Sequence, residues 1–139
     1  MLKHLQIINY ALIARTEVEF DHGFTVITGE TGAGKSILLE ALGLVLGGRA
    51  NFNSIRKGEE KCAIEASFNY ESEAVDMFLR QNGLDLLSDL ILRREITRSG
   101  RSRGFINDSP VSISQLKEIS VFLVDLHGQQ ENISLQTPN

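Results

Sequence analysis

Tryptophan is missing from these 139 residues, and cysteine occurs once. A lone Cys62 excludes an intrachain disulfide framework, and no CxxC or Cys/His spacing fits a zinc site. Its place in an apparent strand makes it a plain packed thiol. Long apolar runs are also lacking: none approaches the roughly 20 residues that cross a bilayer. Met1-Leu2-Lys3-His4 opens neither the apolar core nor the small-residue cleavage site of a secretory signal. The expected compartment is therefore the cytoplasm, with no membrane partner. An excess of positive charge is lacking too. The formal net charge of −4 speaks against a generally basic nucleic-acid surface, so any such contact must rest on a local patch. His4 and His22 have no metal-spaced partner and read as strand or turn residues. Repeats, low-complexity tracts and linkers are absent, and the length predicts one domain with a real core.

What is present is organised around Gly29-Glu30-Thr31-Gly32-Ala33-Gly34-Lys35-Ser36, which fits the phosphate-binding pattern G-x-x-x-x-G-K-[ST] without mismatch. The glycines let the backbone turn its N–H groups inward on phosphate oxygens. Lys35 is placed for the β- and γ-phosphates, and the Ser36 hydroxyl for Mg²⁺. The context agrees. Phe24-Thr25-Val26-Ile27-Thr28 reads as a buried strand before the loop. Ile37, Leu38, Ala41, Leu42, Val45 and Leu46 recur at helical spacing after it, and Gly47-Gly48 ends the run. The helix start adds its partial positive charge to the anion site.

In chain order, Leu2–Tyr10 and Ile13–Phe20 alternate as strands, so three short strands precede the loop helix. Residues 49–60 read as a loop. Lys61–Tyr70 is a half-buried antiparallel strand, and Glu71–Asn82 is a helix stopped by Gly83. Asp89–Arg98 and Arg103–Asp108 form a hairpin around Ser99-Gly100. Ser112 or Ser114 caps a helix carrying Ile113, Leu116, Ile119 and Phe122. From Val121 to Leu126, periodicity alone does not separate helix from strand. The fold class is α/β: a mixed sheet, a P-loop helix and an antiparallel, hairpin-rich portion.

A P-loop that hydrolyses nucleotide needs a second metal-shell group. The residues offer two: Asp125 after Val121-Phe122-Leu123-Val124, or Gln129 in the glycine-containing segment behind it. Five arginines (Arg93, Arg94, Arg98, Arg101, Arg103) crowd the hairpin, and several of them would share one face. They are candidates for DNA phosphates or a partner surface. Arg49, just past the loop helix, is a further candidate.

Several blocks together carry a more specific likeness: Leu5–Ile13, Thr28–Ile37, Leu44–Ala50, Gly100–Asn107 and Asp125–Glu131. They resemble the N-terminal part of the RecN family of bacterial DNA repair proteins, from Met1 to about Leu135. RecN is similar to the SMC proteins, whose ABC-type ATPase head is split between the two chain ends with a coiled coil between. The resemblance implies that residues 1–139 are one N-terminal head lobe, a fragment of a longer, nucleoid-associated protein. It implies ATP and Mg²⁺ on Gly29–Ile37, Lys35 and Gln129 as catalytic groups, and Ser36 and Gln129 as metal ligands. By position Arg49 then resembles the loop arginine that SMC-type heads use near nucleotide or DNA. The signature sequence, the Walker B Asp-Glu pair, the switch histidine and the coiled coil are not in this sequence. Implied partners are the C-terminal lobe, a second head closing over ATP, and DNA. Two alternatives stand beside this: a self-sufficient P-loop kinase or NTPase, and a DNA-binding or docking module built on the arginine hairpin.

Overall fold

Period-two alternation of apolar and polar residues builds the sheet on which the helices pack. The computed structural model describes residues 2–20 and 32–127. Six strands run β1 (Leu2–Tyr10), β2 (Ile13–Glu19), β3 (Lys61–Asn69), β4 (Asp89–Thr97), β5 (Ser102–Ile106) and β6 (Ser109–Val111). They lie in the order β2-β1-β3-β4-β5-β6, with every neighbouring pair antiparallel. The expected strand at 24–28, on which parallel pairing would depend, falls outside the described residues. The described residues also form three α-helices, α1 (Gly32–Val45), α2 (Glu73–Gln81) and α3 (Ile113–His127).

One face of the sheet is apolar and covered. Leu5 and Ile7 of β1, Cys62, Ile64, Ala66 and Phe68 of β3, Leu90, Leu92 and Ile96 of β4 and Ile106 of β5 are buried there. Helix α1 packs across β1, β3 and β4, and α3 packs over β5 and against α2. The Phe78 and Phe122 rings meet edge to face at 6.3 Å between α2 and α3. Burial of this kind contributes roughly 1.5–3 kcal/mol per large apolar side chain.

The opposite face carries charges that pair with one another. Arg93 reaches Glu65 at 3.3 Å and Glu95 at 2.9 Å, and Lys61 lies 3.7 Å from Glu95. On β1 and β2, His4 sits between Glu17 and Glu19, with Arg15 on Glu17. Solvent-exposed pairs of this kind contribute little to stability. Their main effect is to leave the face without one dominant sign.

Caps and turns follow local chemistry. The Ser72 hydroxyl accepts from Val75 N at 3.3 Å and starts α2. At α3 the cap is Ser112: its hydroxyl accepts from Gln115 N and its own N–H donates to the Gln115 side chain, a reciprocal capping box. The hairpin strand expected at 103–108 ends earlier. Asn107 and Asp108 have positive φ (50° and 69°) and form a two-residue turn into β6, a short strand that the sequence pattern does not announce. The run Val121–Asp125 is helical, since α3 continues to His127. Asp125 is therefore in the last turn of a helix and not at the end of a strand.

Candidate functional site

The phosphate-binding sequence meets the structure at the start of α1. Gly32, Ala33, Gly34 and Lys35 form its first turn, where four N–H groups have no partner inside the helix. That turn contains no acidic residue, so nothing there opposes a bound anion. Ser36 is exposed one position further on, and Ile37 is half-buried against the core. Gly29, Glu30, Thr31 and Gln129 lie outside the described residues. Gln129 therefore remains an expectation. Among the described residues, no group of three or more His, Cys, Asp or Glu could hold a metal by itself. The Mg²⁺ ligation expected of Ser36 likewise remains an expectation.

The other end of α1 is held from two sides. Gly47 has φ of 103°, a conformation open to glycine at the residue that closes a helix. Its N–H donates to Leu44 O at 3.1 Å, and Gly48 N–H donates to Gly43 O at 2.9 Å. These two bonds make a Schellman cap. From the sheet side, Arg94 Nη1 donates to Leu44 O at 2.7 Å and to Gly48 O at 2.8 Å, while its Nε donates to Ser102 Oγ at 2.8 Å. From α3, the Ser120 hydroxyl lies 2.7 Å from Leu46 O and from Leu116 O, between which it shares its proton. A Cβ on Gly47 would stand 2.7 Å from Lys117 Cγ and 3.0 Å from Lys117 N, so α3 lies directly on the cap.

Past the cap, Arg49 is exposed and lines a shallow hollow with Ala50, Asn51, Phe52 and Asn53. The loop is more regular than expected, with a single 3-10 turn at Phe52–Ser54 started by the Asn51 side chain. It is sewn to the β1–β2 turn by Ala11 N–H on Ser54 O and Arg56 N–H on Asn9 O. Arg98 adds a third tie, donating to Glu59 O at 2.9 Å and to Arg56 O at 3.1 Å. Nearby, the Tyr10 hydroxyl donates to Glu40 at 3.1 Å. Burial, and then the Glu40 carboxylate, push that phenol up to about 12.

The five hairpin arginines do not form one patch. Strand alternation puts Arg94 on the helix side, 2% exposed, and Arg93 on the open face between two glutamates. Arg98 is engaged by the loop carbonyls. Arg101 and Arg103 are exposed as Arg98 is, and they border a groove with Lys61, Glu95, Thr97 and Ser99. The signal for Arg94 was in the sequence: it shares the phase of Leu90, Leu92 and Ile96, an arginine in a buried register. Ser120 carried no such signal, because its partner, Leu46 O, is supplied by a distant helix end.

Comparison with known proteins fits this picture. The family model described as AAA domain matches residues 4–138. DNA repair protein RecN of Vibrio cholerae serotype O1 is 46% identical over 139 residues, covering 99% of this chain and 25% of the relative. RecN of Bacillus subtilis is 42% identical over 134 residues, covering 95% and 23%. The chain thus spans about a quarter of the length of these relatives. A solved SMC ATPase structure, from work on ATP-driven dimerization and DNA-stimulated activation, superposes with a TM-score of 0.69 at 22% identity. It covers 86% of this chain and 77% of its own. At that identity the likeness speaks for the fold alone. A family match over nearly every residue, with RecN relatives aligned from end to end of the chain, identifies it as a member of the AAA domain family corresponding to the N-terminal region of RecN.

Proposed function

We propose that this chain is the ATP-binding part of an SMC-like DNA repair ATPase. The observation that carries the reading is the unbroken phosphate-loop sequence running into α1, whose first turn is Gly32–Lys35 and carries no acid. The RecN relatives support the repair context. Residues 1–139 form one lobe of a head. Gly29, Gly32 and Gly34 turn their amides onto the phosphates, with Glu30, Thr31 and Ala33 completing the loop. Lys35 neutralises β- and γ-phosphate charge, and Ser36 with Gln129 holds Mg²⁺, which spreads the charge that builds up on the transferred phosphoryl group. Ile37 anchors the helix start in the core.

Catalysis in this class consists of positioning and charge stabilisation, so an incomplete shell binds without turning over. A C-terminal lobe and a second head would supply the missing groups. Arg49, Arg101 and Arg103 are the candidate contacts to DNA or to that second head, supported by their exposure. The test is a titration of Mg-ATP into the chain and into Lys35→Ala. The wild-type chain is expected to bind without hydrolysis, and the variant to lose binding. Equal binding by both would remove the phosphate-site assignment, and Lys35-dependent turnover would favour a self-sufficient P-loop enzyme.

A further inference from the structure

Arg94 is a buried cation with no carboxylate among its described partners, which are the Leu44 and Gly48 carbonyls and the Ser102 hydroxyl. Burial lowers its pKa from the ordinary arginine value, but a guanidinium stays protonated at neutral pH. Taking such a group out of water is costly, and buried charge is weak evidence for stability. Helix capping alone does not call for it. Leu44 O already accepts from Gly47 N–H, and Gly43 O from Gly48 N–H. Arg94 therefore adds a second, charge-assisted pair of bonds to an end that the glycines have already closed. It does so at the negative pole of α1, where the last turn contains no basic residue of its own.

We propose that Arg94 is a positioning residue of the nucleotide site: from the sheet, it fixes where α1 stands along its own axis. The inference rests on the phosphate-site reading above. Helix α1 is 14 residues long, about 20 Å at 1.5 Å per residue. A straight helix moves as a unit, so displacement of its C-terminal end carries the Gly32–Lys35 turn with it. Ser120 holds the same end from α3 through Leu46 O, and Gly47 leaves no slack against Lys117. Sheet, α1 and α3 thus meet at one point, far from the phosphates and stiffly connected to them.

The test compares Arg94→Met, Arg94→Lys and Ser120→Ala with wild type and Lys35→Ala, in a protein of the relatives' full length. Mg-ATP affinity is measured well below the thermal midpoint, and the midpoint itself is recorded in parallel. Arg94→Met should bind Mg-ATP about tenfold more weakly in its folded state. Arg94→Lys should recover part of that loss, since an ammonium keeps the charge near the Leu44 and Gly48 carbonyls but loses the separate Nε bond to Ser102 that orients the guanidinium. Ser120→Ala should show a smaller loss in the same direction. A lowered midpoint with wild-type affinity in the Arg94 variants, beside lost binding in Lys35→Ala, overturns the inference alone and leaves Arg94 a structural residue. Undiminished binding by Lys35→Ala overturns the phosphate-site reading and this inference with it. If Arg94→Met does not fold, Arg94→Lys and Ser120→Ala decide by the same comparison: weakened affinity supports the inference, and wild-type affinity in both sinks it.

Discussion

Cys62 faces the helices from β3, 1% exposed, and burial pushes its thiol from 9.0 up to about 11 against a smaller opposing pull from Arg94. The folded state therefore holds the thiol proton more tightly than the unfolded chain does. That contribution to stability is complete below about pH 9 and is lost as pH rises through about 11. Tyr10 adds a parallel loss between 10.0 and about 12. In denaturant unfolding followed from pH 8 to 11, Cys62→Ala should lose about 2 kcal/mol less than wild type. Equal slopes for the two proteins would mean that the thiol does not titrate with unfolding. The same burial keeps Cys62 protonated near neutrality, the inert packed thiol that its strand position implies.

Among the elements, the β5–β6 turn shows most clearly what a sequence conceals. Asn107 takes positive φ and is 4% exposed. Its side-chain oxygen accepts from Ile91 N–H at 2.9 Å, and its amide donates to Asp85 O at 2.8 Å. Asn107→Ala removes both bonds and strains the left-handed backbone, so it should cost about 2–3 kcal/mol by denaturant titration. Asn107→Gly should recover only the backbone share; equal stability of the two variants would discard the left-handed account. Strands β1 to β4, α2 and the α1 periodicity were legible because each has a strong period and a clear stop. The phosphate-loop pattern was legible in the sequence, while the contacts that hold the far end of α1 were not. Three residues of β6 are too few for a period. The bonds of Arg94 and Ser120 to α1 join residues 46 to 74 positions apart, beyond the reach of any local signal. The arginine cluster divides by strand alternation: Arg93 and Arg103 share the open face with Glu95, as pairing of the hairpin implies, while Arg94 turns to the helices.

For the molecule as a whole, charge is a local matter. The net value of −4 gives no general attraction to DNA, and the open sheet face neutralises itself pair by pair. If DNA meets this lobe at the hairpin groove, Arg101→Ala with Arg103→Ala should weaken binding and flatten its dependence on log salt by up to about 2, one counterion per lost phosphate contact. A salt slope unchanged by the double variant would rule the groove out. A different consequence comes from β6, which closes one side of the sheet among the described residues with three residues and Pro110. Proline has no N–H to offer a neighbouring backbone. A second chain that tried to extend the sheet there would find a ladder with a missing rung. Strand β4, whose Leu90, Leu92 and Ile96 face the core, is enclosed between β3 and β5 and offers no free edge of its own. Copies of this chain that come together on that side find backbone pairing interrupted at Pro110, which leaves side chains as the better contact there.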